Sequence, residues 1–135
     1  MKACIFCHIV DHPEASPVIY RDENVICFLP EKPVVFGHSI IASKQHFPDI
    51  YTIPDVVMEG VTRAAKHLAT HYKKQIRASG INILHASGVY AQQSVMHFHI
   101  HLIPRFEGDG VNAWPDFPGI TIDPEQMLAK LRLTR

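Results

Sequence analysis

Val95-Met-His-Phe-His-Ile-His-Leu-Ile-Pro104 is the stretch that orders the reading of the rest of the chain. In an extended strand successive side chains point to opposite faces, so His97, His99 and His101 share one face while Phe98, Ile100 and Leu102 share the other. One face is chemical and the other belongs to a core. At a rise of roughly 3.3 Å per residue, His97 and His101 lie about 13 Å apart at Cα, too far to bind one metal ion together. A neighbouring pair could share one. The row suits a tetrahedral phosphoryl group better, with one imidazole attacking phosphorus and its neighbours donating hydrogen bonds to the oxygens.

Working outward, Pro17 to Pro30 predicts two apolar, β-rich runs joined at Asp22, Glu23 and Asn24, and His38 to Ser43 predicts a third strand after the turn at Gly37. From Pro54 to Ser79 the period lengthens, with Val57, Val61, Ala65, Leu68, Tyr72 and Ile76 marking one face of a helix. Pro54 suits its first turn and Gly80 the residue after its last. A fourth strand follows at Gly80 to His85, then a polar loop from Ala86 to Ser94, then the histidine strand. Phe106 to Thr121 predicts loop. Asp123 as N-cap with Pro124 behind it predicts a short C-terminal helix ending at Arg132. Strands grouped around one long helix make an α+β domain with a mainly antiparallel five-stranded sheet.

The chain has 135 residues, enough for one domain with its own core. Lys and Arg number 13, as do Asp and Glu, without a long run of either sign. That balance argues against nucleic acid or an anionic membrane surface as the main partner and leaves room for a small anionic ligand. No apolar run reaches the length of a membrane span and no cleavable leader is visible, so a cytoplasmic location is expected. Cys4, Cys7 and Cys27 are then expected to be thiols or metal ligands and not a disulfide framework. By spacing alone, Cys4-x-x-Cys7 is half of a zinc site, a pair of packing thiols or a redox pair. Cys27 falls mid-strand and is expected to be buried.

The histidine run resembles the signature of the histidine-triad (HIT) superfamily, His-φ-His-φ-His-φ-φ with φ apolar. The resemblance extends from Cys4-Ile-Phe-Cys7 through Pro33-Val-Val-Phe-Gly-His38 and Gln93-Ser-Val-Met-His97 to Pro104-Arg105. It implies a HIT-like fold over residues 1–135, with a core at about 3–105 and a divergent loop and helix at 106–135. It also implies a nucleotide hydrolase or nucleotidyl transferase acting on dinucleoside polyphosphates or nucleoside phosphoramidates through a nucleotidyl-histidine intermediate. His99 would be the nucleophile, with His101 and His38 as its catalytic partners. Gln93 and Ser94 would contact the phosphate, and Phe6, Ile9 and Phe28 would line the nucleoside pocket. Relatives with the cysteine pair complete a structural zinc site with two histidines, which here means His46 and His97 beside Cys4 and Cys7. No catalytic metal is needed for the attack. A homodimer is the expected assembly.

Three positions depart from the family pattern. Pro30 stands where an acid or amide usually receives the ribose hydroxyls, Ala86 replaces an amide near the scissile phosphate, and Gln92 replaces a glycine. The alternative function is therefore a nucleotide-binding regulatory module with little turnover. His8, His12, His67, His71 and His85 have no spacing that suggests a role.

Overall fold

A computed structural model of the chain describes residues 4–134. Its five strands are β1 (Val18–Arg21), β2 (Val25–Phe28), β3 (Ser39–Ser43), β4 (Gly80–Leu84) and β5 (His99–Arg105), all in one sheet. Their order is β1-β2-β3-β5-β4 and every neighbouring pair is antiparallel. Three α-helices accompany them among the described residues: α1 (Ile5–Asp11), α2 (Asp55–Gln75) and α3 (Pro124–Leu131). The expected α+β architecture is the one observed.

The β1–β2 hairpin closes on Asp22, whose Oδ1 accepts from the Asn24 and Val25 amides at 2.8 and 2.9 Å. That is the turn chemistry for which Asp is selected. One sheet face carries Val25, Cys27, Ile41, Phe98, Ile100 and Leu102 and buries them against Val57, Val61, Ala65, Leu68 and Tyr72 of α2. These are the positions marked by the helical period. Cys27 is fully buried among them, and burial pushes its thiol up to about 12. The opposite face is covered by α1, which packs Phe6 and Ile9 on Ile26, Phe28, Ile40 and Ala42.

The element boundaries differ from expectation in instructive places. Helix α2 stops at Gln75, because Arg77 takes a left-handed φ of 56° that turns the chain back, and Gly80 opens β4 instead of ending the helix. Strand β5 begins at His99, four residues later than its apolar alternation suggests. Before it the Phe98 amide donates to the Phe47 carbonyl at 2.6 Å, so the chain is bent onto the 44–50 loop and His97 lies outside the ladder. Helix α1 was not expected at all. Its seven residues follow the N-cap Cys4, whose sulfur accepts from the Cys7 amide at 3.5 Å, and it is too short to show a period. Helix α3 does start on Asp123, which accepts from the Glu125 amide at 3.0 Å, but none of its residues is buried. No helix of the described residues is long and apolar enough to cross a membrane.

Candidate active site

Register sets the site. Ala42 pairs with His99, while Ile40 and Leu84 flank His101 from β3 and β4, so the two imidazoles rise side by side from the middle of the sheet. Their ring centroids are 5.2 Å apart. Phe6 of α1 stands edge-on to His99 at 4.9 Å and to Phe28 at 5.3 Å, which gives this face an apolar wall. Phe6, Ile9 and Phe28, the expected nucleoside-pocket residues, thus lie in one apolar cluster, and Phe6 carries it up to His99.

Hydrogen bonds fix where the protons sit. A carbonyl can only accept, so the 2.8 Å contact from His99 Nδ1 to the His97 carbonyl places a proton on Nδ1 and leaves Nε2 as a bare lone pair. His38 Nδ1 accepts from the Val34 amide at 3.1 Å, so the His38 proton is on Nε2, which donates to His101 Nδ1 at 2.9 Å. His101 must then carry its own proton on Nε2. The site presents a nucleophilic nitrogen beside a hydrogen-bond donor, and neither needs a charge. His38 owes its place to Gly37, whose φ of 90° and lack of a Cβ are both required. A Cβ there would sit 2.9 Å from Ile76 and Pro104.

Burial is the main reason that His38, His99 and His101 are all held below the ordinary imidazole value. His101, opposed also by charge on His99 and His38, falls to about 4. The unfolded chain binds these protons near pH 6.5 and the folded chain does not, so the stability they confer is complete above pH 6.5 and is lost as pH falls toward 4. For His101 alone that is about 3 kcal/mol. The urea midpoint is expected to drop steeply over this window. A midpoint unchanged between pH 6.5 and 4 would contradict the assignment of neutral imidazoles.

Beside the triad, Cys4, Cys7, His46 and His97 bring their ligand atoms within 4.8 Å of one another. Cys4 Sγ to His97 Nδ1 is 3.4 Å, Cys7 Sγ to His46 Nδ1 is 3.4 Å, Cys7 Sγ to His97 Nδ1 is 3.6 Å and the two Nδ1 atoms are 3.1 Å apart. A zinc tetrahedron has S–N edges of about 3.5 Å and N–N edges of about 3.3 Å. His97 Nε2–H is committed to the Ser43 carbonyl at 2.6 Å, which turns an unprotonated Nδ1 toward the cluster and supplies the outer hydrogen bond usual for a metal-bound histidine. Without a cation, burial and the adjacent Cys4 push the Cys7 thiol up to about 11. The donor set fits zinc.

Other expected residues are placed less simply. Gln93 is buried, and both amide hydrogens are used, on the Pro48 and Val95 carbonyls at 2.6 and 3.0 Å, while its Oε1 accepts from the Gly88 amide at 2.8 Å. It holds the 86–94 loop and has no free donor for a phosphate in this arrangement. Ser94 next to it is exposed. Gln92 takes a φ of 69°, the left-handed conformation that its glycine-like position demands, at a cost of about 1 kcal/mol for a side-chain-bearing residue. Ala86 offers no side-chain donor. Two residues went unassigned in the sequence. Arg105 clamps Asp109 with two hydrogen bonds of 2.7 and 2.9 Å, reaches Asn82 at 2.9 Å and the Val111 carbonyl, and so sets the direction of the C-terminal segment. His85 donates to the His99 carbonyl at 2.8 Å. Its only sequence signal is its position at the end of a strand that pairs with β5.

The HIT domain family model matches residues 13–108. The chain belongs to the HIT domain family. This HIT-domain protein is 34% identical over 135 residues to the adenosine 5'-monophosphoramidase HNT1 of Saccharomyces cerevisiae, a match covering 96% of this chain and 83% of the yeast protein. A crystal structure of a HIT-family member from Bacillus subtilis superposes with a TM-score of 0.84 at 32% identity and covers 99% of each chain. A zinc-bound histidine-triad family protein from Mycobacterium smegmatis superposes with a TM-score of 0.77 at 31% identity, covering 84% of this HIT-domain chain and 83% of that one.

Proposed function

We propose that this HIT-domain protein hydrolyses or transfers a nucleoside monophosphate group from adenylate-type substrates, nucleoside phosphoramidates or dinucleoside polyphosphates, by covalent catalysis at His99. The observation that carries the reading is the tautomer order: Nδ1–H of His99 bound to the His97 carbonyl, with Nε2 bare beside the protonated Nε2 of His101. His99 Nε2 attacks phosphorus, forming an N–P bond as the bond to the leaving group breaks; a leaving amine departs with a proton taken from solvent, and a leaving phosphate departs as its anion. His101 Nε2–H donates to a phosphoryl oxygen, where charge accumulates. Water then attacks the phosphorus, losing a proton to solvent as the N–P bond breaks and the neutral imidazole is restored. Support comes also from the yeast relative named for phosphoramidase activity. Hydrolysis of a fluorogenic adenosine phosphoramidate tests it, and a wild-type protein that binds AMP without turnover would favour the regulatory module instead.

Zinc is the proposed resident metal, held by Cys4, Cys7, His46 and His97, and its contribution is structural. It would tie α1, which carries Phe6 and Ile9, to the bend that begins the histidine strand. The fit of the ligand spacing to a zinc tetrahedron and the zinc-bound mycobacterial relative support this. A homodimer is proposed as well. Among the described residues strand β4 is an edge of the sheet, with Ile83 53% exposed, and a second copy would satisfy its open ladder. Sedimentation at twice the chain mass is the expected result, and monomers at micromolar concentration would count against it.

Pro30 carries a proposal on selectivity. A buried carboxylate that accepts from both ribose hydroxyls contributes about 1.5–3 kcal/mol, and proline offers no such acceptor. AMP and 2′-deoxy-AMP should therefore bind within about tenfold of each other. A ratio above about a hundredfold would mean that another group, Glu31 first, receives the ribose.

A further inference from the structure

Strand β4 pairs with β5 only as far as Leu84, opposite His101. Two residues earlier on β5, the next hydrogen-bonding position on that side belongs to His99, and the residue that would complete the ladder there is Ala86. The chain has already turned away. The carbonyl of His99 is met instead by a side chain, the imidazole of His85, whose Nδ1 lies 2.8 Å from it. His85 Nε2 is 2.6 Å from Ser87 Oγ, and Ser87 Oγ accepts from the Ile50 amide at 2.9 Å. Every proton in this chain is determined by its ends. The carbonyl only accepts, so His85 carries its proton on Nδ1; the bare Nε2 of the neutral ring then takes the Ser87 hydroxyl proton, while the Ser87 oxygen accepts from the Ile50 amide. The His85 ring also lies against Phe98, with centroids 4.7 Å apart and planes tilted by 33°.

We infer that His85 is a positioning residue for the nucleophile, pinning the His99 peptide from the sheet face opposite the site through the relay Ile50–Ser87–His85–His99. The inference rests on the proposed attack by His99. His99 is then held at two points, its ring by Nδ1–H on the His97 carbonyl and its backbone carbonyl by His85. Misplacing an attacking atom by about 1 Å costs on the order of a hundredfold in rate, and loss of one of two restraints should cost less than that.

The test separates the hydrogen bond from the packing. His85→Phe keeps an aromatic ring against Phe98 and removes the donor; His85→Asn keeps an amide donor near the position of Nδ1 and removes the ring. With an adenosine phosphoramidate as substrate, His85→Phe should lower kcat about tenfold with KM within about twofold, and His85→Asn should recover kcat to within about threefold of wild type. The His99 carbonyl carbon should also shift upfield by NMR in His85→Phe and not in His85→Asn. Wild-type kcat in His85→Phe, or equal losses in both variants, would overturn the inference. A wild-type protein with no turnover would instead overturn the nucleotidyl-transfer reading, and the carbonyl shift would still decide whether the relay holds the His99 peptide.

Discussion

Replacing His99 by alanine is expected to reduce turnover by at least about a thousandfold while AMP binding stays within about tenfold of wild type. The two effects separate because the imidazole does different work in the two states. In the proposed ground state a bound nucleotide would rest on the apolar wall of Phe6, Ile9 and Phe28 and on donors such as His101, all of which survive the substitution. In the transition state the substituted protein has no atom at the attacking position. His101 cannot take over, because its Nδ1 is occupied by His38 and its Nε2 bears the proton. A loss of about a thousandfold is about 4 kcal/mol of transition-state stabilisation. Calorimetric titration with AMP beside an assay of phosphoramidate hydrolysis gives both numbers. Turnover within about tenfold of wild type would remove His99 from the mechanism.

Metal removal should produce the largest change in stability. Protein purified without chelator is expected to hold one zinc per chain, and its removal, or Cys7→Ser, should cost about 3–5 kcal/mol, roughly 10–15 °C in Tm. The loss is smaller than in a zinc finger because the α2-facing core owes nothing to the cluster. It is still large because His97 is fully buried and α1 has only seven residues. A helix that short is not stable on its own. His46→Ala should destabilise to a similar degree, since His46 Nδ1 lies 3.4 Å from Cys7 Sγ and its ring is 4.9 Å from the His97 ring between centroids. Metal analysis and thermal melts with and without chelator decide it. Substoichiometric zinc, with a Tm indifferent to added metal, would contradict the site.

The fold was legible where the side-chain period was long. Five of the six apolar positions of the helical period are buried on α2, with Ile76 just past its end, and the apolar alternation separated Phe98, Ile100 and Leu102 from the imidazoles. It was illegible where tertiary contacts decide the backbone. His97 looks like a strand residue by alternation, yet the Phe98 amide goes to Phe47, and that bend is what frees His97 to face the cysteines. Helix α1 leaves only Phe6 and Ile9 as buried marks, too few to distinguish helix from strand. At the site, the family resemblance pointed to His99, His101 and His38, whose rings the structure brings together, but the proton positions depend on the Val34 amide and the His97 carbonyl, which no side-chain pattern records. Gln93 shows the converse. Its place in the signature suggested a phosphate contact, whereas in the structure its amide is spent on Pro48, Val95 and Gly88. His85 had no spacing to recommend it, because its role comes from where β4 stops.

The covalent intermediate is the central claim, and trapping it is the most direct test. Wild-type protein mixed with an adenosine phosphoramidate and quenched in alkali should carry one added nucleoside monophosphate. The adduct should be stable to base and labile to acid, as a phosphorus–nitrogen bond to imidazole requires, and fragmentation should place it on His99. An adduct on another residue, or steady turnover with no adduct at any quench time, would contradict nucleophilic attack by His99.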